Sequence, residues 1–139
     1  QWSEEKNAGF TEGTPWIMVN PNYTEINAQK ELADPDSVFH YYQKLIWLRR
    51  FSQWSDLIVY GQYQLLAPEH TQVFAYTREY EGQKLLVLCN LSGQEADFEI
   101  PDSVTWEKEE LLLGNYGEAK LSKKIKMKPW EASIWSLLS

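Results

Sequence analysis

The stretch VFAYTREYEGQKLLVLCN, Val73 to Asn90, decides the fold. Two runs suited to extended backbone, Val73 to Tyr80 and Lys84 to Asn90, flank the pair Glu81-Gly82, which turns a hairpin. Leu85 to Leu88 is apolar at every position, so this strand belongs in the middle of a sheet with both faces covered. Five more short runs bounded by turn residues lie outward from it. Tyr60 to Leu66 precedes the hairpin, and Ala96 to Ile100, Glu110 to Leu113, Lys124 to Lys128 and Ala132 to Leu138 follow it. Ser92-Gly93 is expected to turn the next hairpin. Seven such runs predict a mostly β chain ending in an antiparallel β-sandwich. Within it Lys124, Lys126 and Lys128 alternate with Ile125 and Met127, so this basic run is the wet face of a strand.

Upstream of residue 58 the period changes. Asp34 is placed to cap a helix with Pro35 at its first position, and Val38, Tyr42, Leu45 and Ile46 then recur on one face through to Phe51. Phe39, Trp47 and Phe51 add a second apolar strip, so the helix expects neighbours on both flanks. Asn27 is placed to cap a shorter helix over Ala28 to Ala33. Before it, Asn7, Gly9, Gly13, Pro15, Asn20, Pro21 and Asn22 punctuate a long loop pinned by Trp2, Phe10, Trp16 and Tyr23. Loops of this length need a larger body to lie on. The chain therefore divides into residues 1–57, loop and helix, and residues 58–139, all β.

The whole is 139 residues, 43% hydrophobic, 14% aromatic and 24% charged, which is a globular composition. It is too short for a complete (β/α)8 barrel of roughly 250 residues. A net charge of −7 argues against a nucleic-acid partner, whose phosphates need clustered Lys and Arg. Cys89 is the single cysteine, so no internal disulfide is available and a reducing, cytoplasmic setting is expected. No apolar run approaches the roughly 20 residues that cross a bilayer, so no membrane partner is expected. The first residue is Gln1 rather than Met, which suggests a piece of a longer polypeptide.

Catalytic signatures are sparse. His40 and His70 are the only histidines, and neither sits in a paired ligand pattern, so no metal site is expected. Cys89 lies in the apolar strand without an activating neighbour. Glu4, Glu5, Asp34, Asp36 and the Glu107 to Glu110 cluster look like solvated surface, and no catalytic residue is assigned in this chain. Asn22-Tyr23-Thr24 and Asn90-Leu91-Ser92 match the glycosylation acceptor pattern by chance. Seven Trp and eight Tyr are a surplus of the flat rings that stack on sugars. Trp47, Trp106, Trp130 and Trp135 fall where core is expected, whereas Trp2 and Trp16 are candidates for exposure. A free-standing carbohydrate-binding β module would need an exposed aromatic row on one sheet face; the strand aromatics instead alternate with polar residues as core residues do.

Gln1-Trp2, Asn7-Ala8-Gly9-Phe10-Thr11, Pro15-Trp16-Ile17, Val19-Asn20-Pro21-Asn22-Tyr23 and Ile26-Asn27 together resemble the segment after the last barrel strand in bacterial α-glucosidases of the α-amylase family. Oligo-1,6-glucosidases, dextran glucosidases and trehalose-6-phosphate hydrolases are the members it resembles. The likeness continues through Asp36-Ser37-Val38-Phe39, Val59-Tyr60-Gly61, Phe74-Ala75-Tyr76, Asn115-Tyr116 and Pro129-Trp130-Glu131-Ala132. Ser3 stands where the family usually has Asp, and Phe51 to Ser55 is longer than the usual connection.

The resemblance implies that residues 1–57 are the end of a catalytic barrel, an active-site loop and the last barrel helix, and that residues 58–139 are the C-terminal β domain. It implies a retaining glycosidase whose Asp nucleophile and Glu acid/base stand roughly 5 to 5.5 Å apart, upstream of this chain. A glucose-binding Arg of the family would fall just before Gln1. Gln1 and Trp2 are therefore the substrate-proximal candidates. The partners implied are the rest of the same barrel and an oligosaccharide, with no organic cofactor; a family calcium site would lie in an N-terminal loop outside this chain. By itself the chain would be structural and inactive.

Overall fold

The computed structural model describes residues 1–117 and 120–138. Two compact units, Gln1–Trp47 and Leu48–Ser139, make up the chain. The first carries a left-handed turn at Lys6–Gly9, a 3₁₀ turn at Pro21–Thr24, helix α1 (Ala28–Ala33) and most of α2 (Val38–Phe51). The second carries the end of α2, α3 (Ser55–Tyr60) and seven strands: β1 (Gln62–Leu66), β2 (Val73–Tyr80), β3 (Gln83–Asn90), β4 (Ala96–Glu99), β5 (Lys108–Gly114), β6 (Lys124–Met127) and β7 (Ala132–Leu138).

All seven runs read from the sequence are strands, and every pairing is antiparallel. β1, β2, β3, β7 and β5 form one sheet in that spatial order, and β4 pairs with β6 in a second. β3 lies between β2 and β7, as an all-apolar strand must. One face of the large sheet, including Ala75, Leu86, Leu88, Trp135 and Leu137, packs on Ala96, Phe98 and Met127 of the β4–β6 ribbon. Each of the large side chains removed from water there contributes about 1.5–3 kcal/mol. On the opposite face Leu85 joins Leu48, Trp54 and Leu57, with Ile58, Tyr80, Leu112 and Ile134 around them. Leu111 serves the first cluster and Leu112 the second, as successive strand residues do, and the register of β5 on β7 shifts between Leu111 and Leu113. His70 stitches the layers: its Nδ1 accepts from Gln72 N at 3.2 Å and Val73 N at 2.9 Å, and its Nε2 meets Asp97 O at 3.1 Å.

Glu81 and Gly82 turn the β2–β3 hairpin with φ of 49° and 78°, the left-handed pair that matches strand twist. The short helix capped by Asn27 is also as read: its side chain accepts from Lys30 N at 3.0 Å.

Four local expectations are corrected. The longer helix starts at Val38 rather than Pro35, because the Asp34 carboxylate accepts from Asp36 N at 2.9 Å and closes a turn of its own, leaving Ser37 to accept from Tyr41 N at 3.0 Å. Residues 55–60 are a helix, so β1 begins at Gln62; burial of Leu57 overrides the strand preference of Ile58 and Val59. Ser92-Gly93 turns no hairpin, because β4 leaves the large sheet to pair with β6. Trp47 and Trp130 are exposed rather than core, at 56% and 62%. Trp135 is buried, as expected of a core position.

Leu86 is wholly buried, and Leu86→Ala is expected to lower the unfolding free energy by about 2–5 kcal/mol through the cavity it leaves. Glu81→Asn, which suits a left-handed turn better than Glu, is expected to raise it by up to about 1 kcal/mol. Urea titration of the two variants checks both signs.

Candidate functional site

Gln1 and Trp2 are held by backbone on two sides. Their carbonyls accept from Ala28 N at 2.9 Å and Gln29 N at 3.0 Å, the first amides of α1, which no turn of that helix can satisfy. The Gln1 carboxamide also donates to Ile26 O. Asn27 is buried and completes the joint, donating to Tyr23 O at 2.9 Å while its Oδ1 caps Lys30 N. On the other side the amides of Trp2 and Ser3 both donate to Ala8 O, at 2.9 and 3.4 Å.

Ala8 lies in a left-handed turn. Asn7, Ala8 and Gly9 have φ of 59°, 55° and 73°, a region that glycine enters freely but that an L-residue such as Ala disfavours by about 1–2 kcal/mol. Gly9 is required twice, since its φ is positive and a Cβ there would stand 3.3 Å from Trp2 Cβ and 3.2 Å from Ser3 Oγ. With its backbone pinned, Trp2 leaves 63% of its surface in the open, and Trp16 leaves 94%. Both were expected to be exposed. Glu4 completes the surround, its Oε2 2.8 Å from Lys30 Nζ. The hydrogen bond and charge of Lys30 hold its carboxyl below the ordinary Glu range, so the pair is intact above that range and is lost as pH falls through the lowered value.

The other candidates resolve into structural roles. His40 meets Leu32 O and Gln43 Oε1. Among the described residues no group of three or more His, Cys, Asp or Glu could hold a metal, and no helix is long and apolar enough to cross a membrane. Asn90, of the second glycosylation-like pattern, is buried; it donates to Gln94 O at 2.7 Å and Lys128 O at 2.8 Å and accepts from Ser92. A shallow groove of about 440 Å³ over β4 and β6 is lined by Asp97, Glu99, Lys124 and Lys126 with Phe98 and Ile125, the charged rim of a ribbon rather than an enclosed site.

Two features escaped the sequence reading. Tyr63, Tyr76 and Phe74 form a row of mutually tilted rings on one sheet face, with ring centroids 5.2 and 5.5 Å apart, instead of entering the core. The left-handed turn at Asn7–Gly9 also escaped, although Asn followed by Gly two positions on is the residue chemistry that tolerates it.

Comparison with known proteins places this geometry. The alpha amylase, catalytic domain, family matches residues 1–61, and the alpha-amylase SusG C-terminal domain family matches residues 73–134. The chain belongs to the α-amylase family. The oligo-1,6-glucosidase of Parageobacillus thermoglucosidasius is 46% identical over 139 residues, across 99% of this chain and 24% of that protein. The crystal structure of Bacillus licheniformis trehalose-6-phosphate hydrolase superimposes with a TM-score of 0.93 at 41% identity, over 100% of this chain and 25% of that one. Isomaltulose synthase from Klebsiella sp. LX3 superimposes with a TM-score of 0.87 at 37% identity, over 99% of this chain and 24% of that one. The chain thus spans about a quarter of the length of the relatives it matches and corresponds to the C-terminal portion of such an enzyme.

Burial raises the Cys89 thiol above its ordinary range, so its thiolate is scarce at neutral pH. Alkylation of Cys89 by iodoacetamide is expected to be slower than that of a free thiol, with its pH midpoint displaced upward from that of a free thiol. Labelling rates across pH, followed by intact mass, check this.

Proposed function

We propose that this chain is the C-terminal part of an α-glucosidase that releases terminal α-linked glucose from short oligosaccharides. The observation that carries the proposal is the 46% identity to an oligo-1,6-glucosidase across 99% of the chain. Retaining hydrolysis needs a nucleophilic carboxylate and an acid/base carboxyl facing one glycosidic bond. Among the described residues Glu4, Glu79, Glu95, Glu99 and Asp102 are exposed carboxylates paired with lysines, as surface groups are. The pair is therefore assigned to the rest of the polypeptide, and this chain contributes structure.

Residues 1–57 are assigned to the end of the barrel and residues 58–139 to the C-terminal β domain. The catalytic-domain match to residue 61 and the first strand at Gln62 support that division. Val38, Tyr42, Ile46 and Trp47 of α2 leave more than half their surface exposed, which supports a cover supplied by the remainder of the barrel. The unpaired Cys89 supports a cytoplasmic setting. Gln1 and Trp2 are assigned to the border of the sugar site, where an indole fixed by its backbone offers a flat face to a glucose ring.

A second reading takes its substrate from another similar protein, a trehalose-6-phosphate hydrolase 41% identical over 100% of this chain. In that case the sugar carries a phosphate, and the discriminating contact lies outside this chain.

The test is turnover of isomaltose, trehalose 6-phosphate and an aryl α-glucoside by the full-length protein and by this chain alone. The full-length protein is expected to hydrolyse at least the aryl glucoside, and this chain none. Trp2→Ala in the full-length protein is expected to lower kcat/KM about tenfold, the equivalent of about 1.4 kcal/mol of ring contact, without moving Tm. An inactive full-length protein overturns the proposal.

A further inference from the structure

The strained turn at Asn7–Gly9 and the exposed indole of Trp2 are two ends of one device. Gly9 enters the left-handed region freely and Asn7 tolerates it, but Ala8 would not persist there unless its surroundings held it. Ala8 has no side-chain hydrogen bond to offer and is wholly buried. What the conformation achieves is the direction of one carbonyl: Ala8 O points back at the amides of Trp2 and Ser3. A right-handed Ala8 would turn that oxygen away and leave both amides without it.

The side chain that holds the turn is Asn7. Its carboxamide nitrogen donates to Thr11 O at 2.8 Å and Gly13 O at 2.9 Å, so each N–H has an acceptor and the loop is drawn closed beyond the turn. Asn is also among the few non-glycine residues that tolerate a positive φ. The turn also lies against its neighbour: a Cβ at Gly9 would stand 3.3 Å from Trp2 Cβ, and one of the two would have to give by a few tenths of an ångström.

We propose that Asn7 is a positioning residue for the sugar site: its carboxamide clamp fixes the left-handed turn, the turn aims Ala8 O, and Ala8 O fixes the Trp2 backbone from which the indole projects. This rests on the assignment of Trp2 to the border of that site. Asn7 itself touches no substrate. The idea matches what a stacking platform requires, since a ring misaligned by about an ångström loses much of its effect on turnover.

The test uses the full-length protein and three variants, Trp2→Ala, Asn7→Asp and the double variant, with Asn7→Gly in reserve should Asn7→Asp fail to fold. Asn7→Asp keeps the shape but sets a carboxylate against two carbonyl oxygens; Asn7→Gly keeps access to positive φ and removes the clamp. Hydrogen exchange at the Trp2 and Ser3 amides, Tm, and kcat and KM on an aryl α-glucoside are measured for each. Asn7→Asp is expected to speed exchange at those amides and to lower kcat/KM on the order of tenfold, with Tm nearly unchanged. In the Trp2→Ala background the same change is expected to have no further effect, because it acts through Trp2.

Unchanged kinetics in Asn7→Asp, or an equal loss with Trp2 already removed, overturns the proposal while the assignment of Trp2 stands. A loss that only follows Tm overturns it likewise. If Trp2→Ala is itself silent, the assignment of Trp2 falls and the proposal falls with it.

Discussion

The C-terminal unit is built around the constraint that β3 is apolar on both faces and must be covered twice. Leu86 and Leu88 turn toward the β4–β6 ribbon, and Leu85 turns toward α3. Neither cover suffices by itself, because a strand with one wet apolar face would seek another chain. The antiparallel neighbours on either side are also demanded by β3, whose backbone groups are satisfied by β2 at one edge and β7 at the other. β5 also serves both covers, since its successive leucines, Leu111 and Leu112, point to opposite faces of the sheet as neighbours on a strand do.

Where a residue's structure is decided within a few positions of itself, the sequence was sufficient. Short runs bounded by turn residues marked all seven strands, Glu81-Gly82 marked its hairpin, and Asn27 marked the start of α1. Where the decision is made elsewhere, it was not. Asp34 and Ser37 are both competent caps, and which one starts α2 depends on a turn that Asp34 closes with Asp36. Ser55 to Tyr60 carries Ile and Val that favour a strand, yet Leu57 is needed against Leu85, and the helix wins. Ser92-Gly93 has hairpin chemistry, but Asn90 ties the chain there to Gln94 and Lys128, and the strand that follows joins the other sheet.

The aromatic surplus shows the same limit from another side. Composition alone cannot separate a ring that fills a core from one that faces water. Trp135 sits under the ribbon with its indole N–H on Ser133 Oγ at 2.9 Å, whereas Trp130, five positions earlier, leaves most of its surface open at a φ of 58°. Tyr63, Phe74 and Tyr76 look like core residues by alternation, since one face of each strand is indeed buried. They occupy the other face, and only the register between β1 and β2 reveals that their rings meet.

Left-handed backbone marks places of different kinds in this molecule, and its surroundings tell them apart. At Glu81 nothing but the hairpin asks for it: Gly82 beside it meets no neighbour, and the conformation serves only to match the twist of two strands. At Asn7 and Ala8 it is enclosed. Ala8 is buried, its oxygen is shared by two amides, the Asn7 carboxamide has both hydrogens engaged, and Gly9 stands against Trp2. Strain of the first kind can be relieved without altering anything beyond the turn. Strain of the second kind cannot, because the same atoms that bear it also hold the backbone of Trp2 and Ser3.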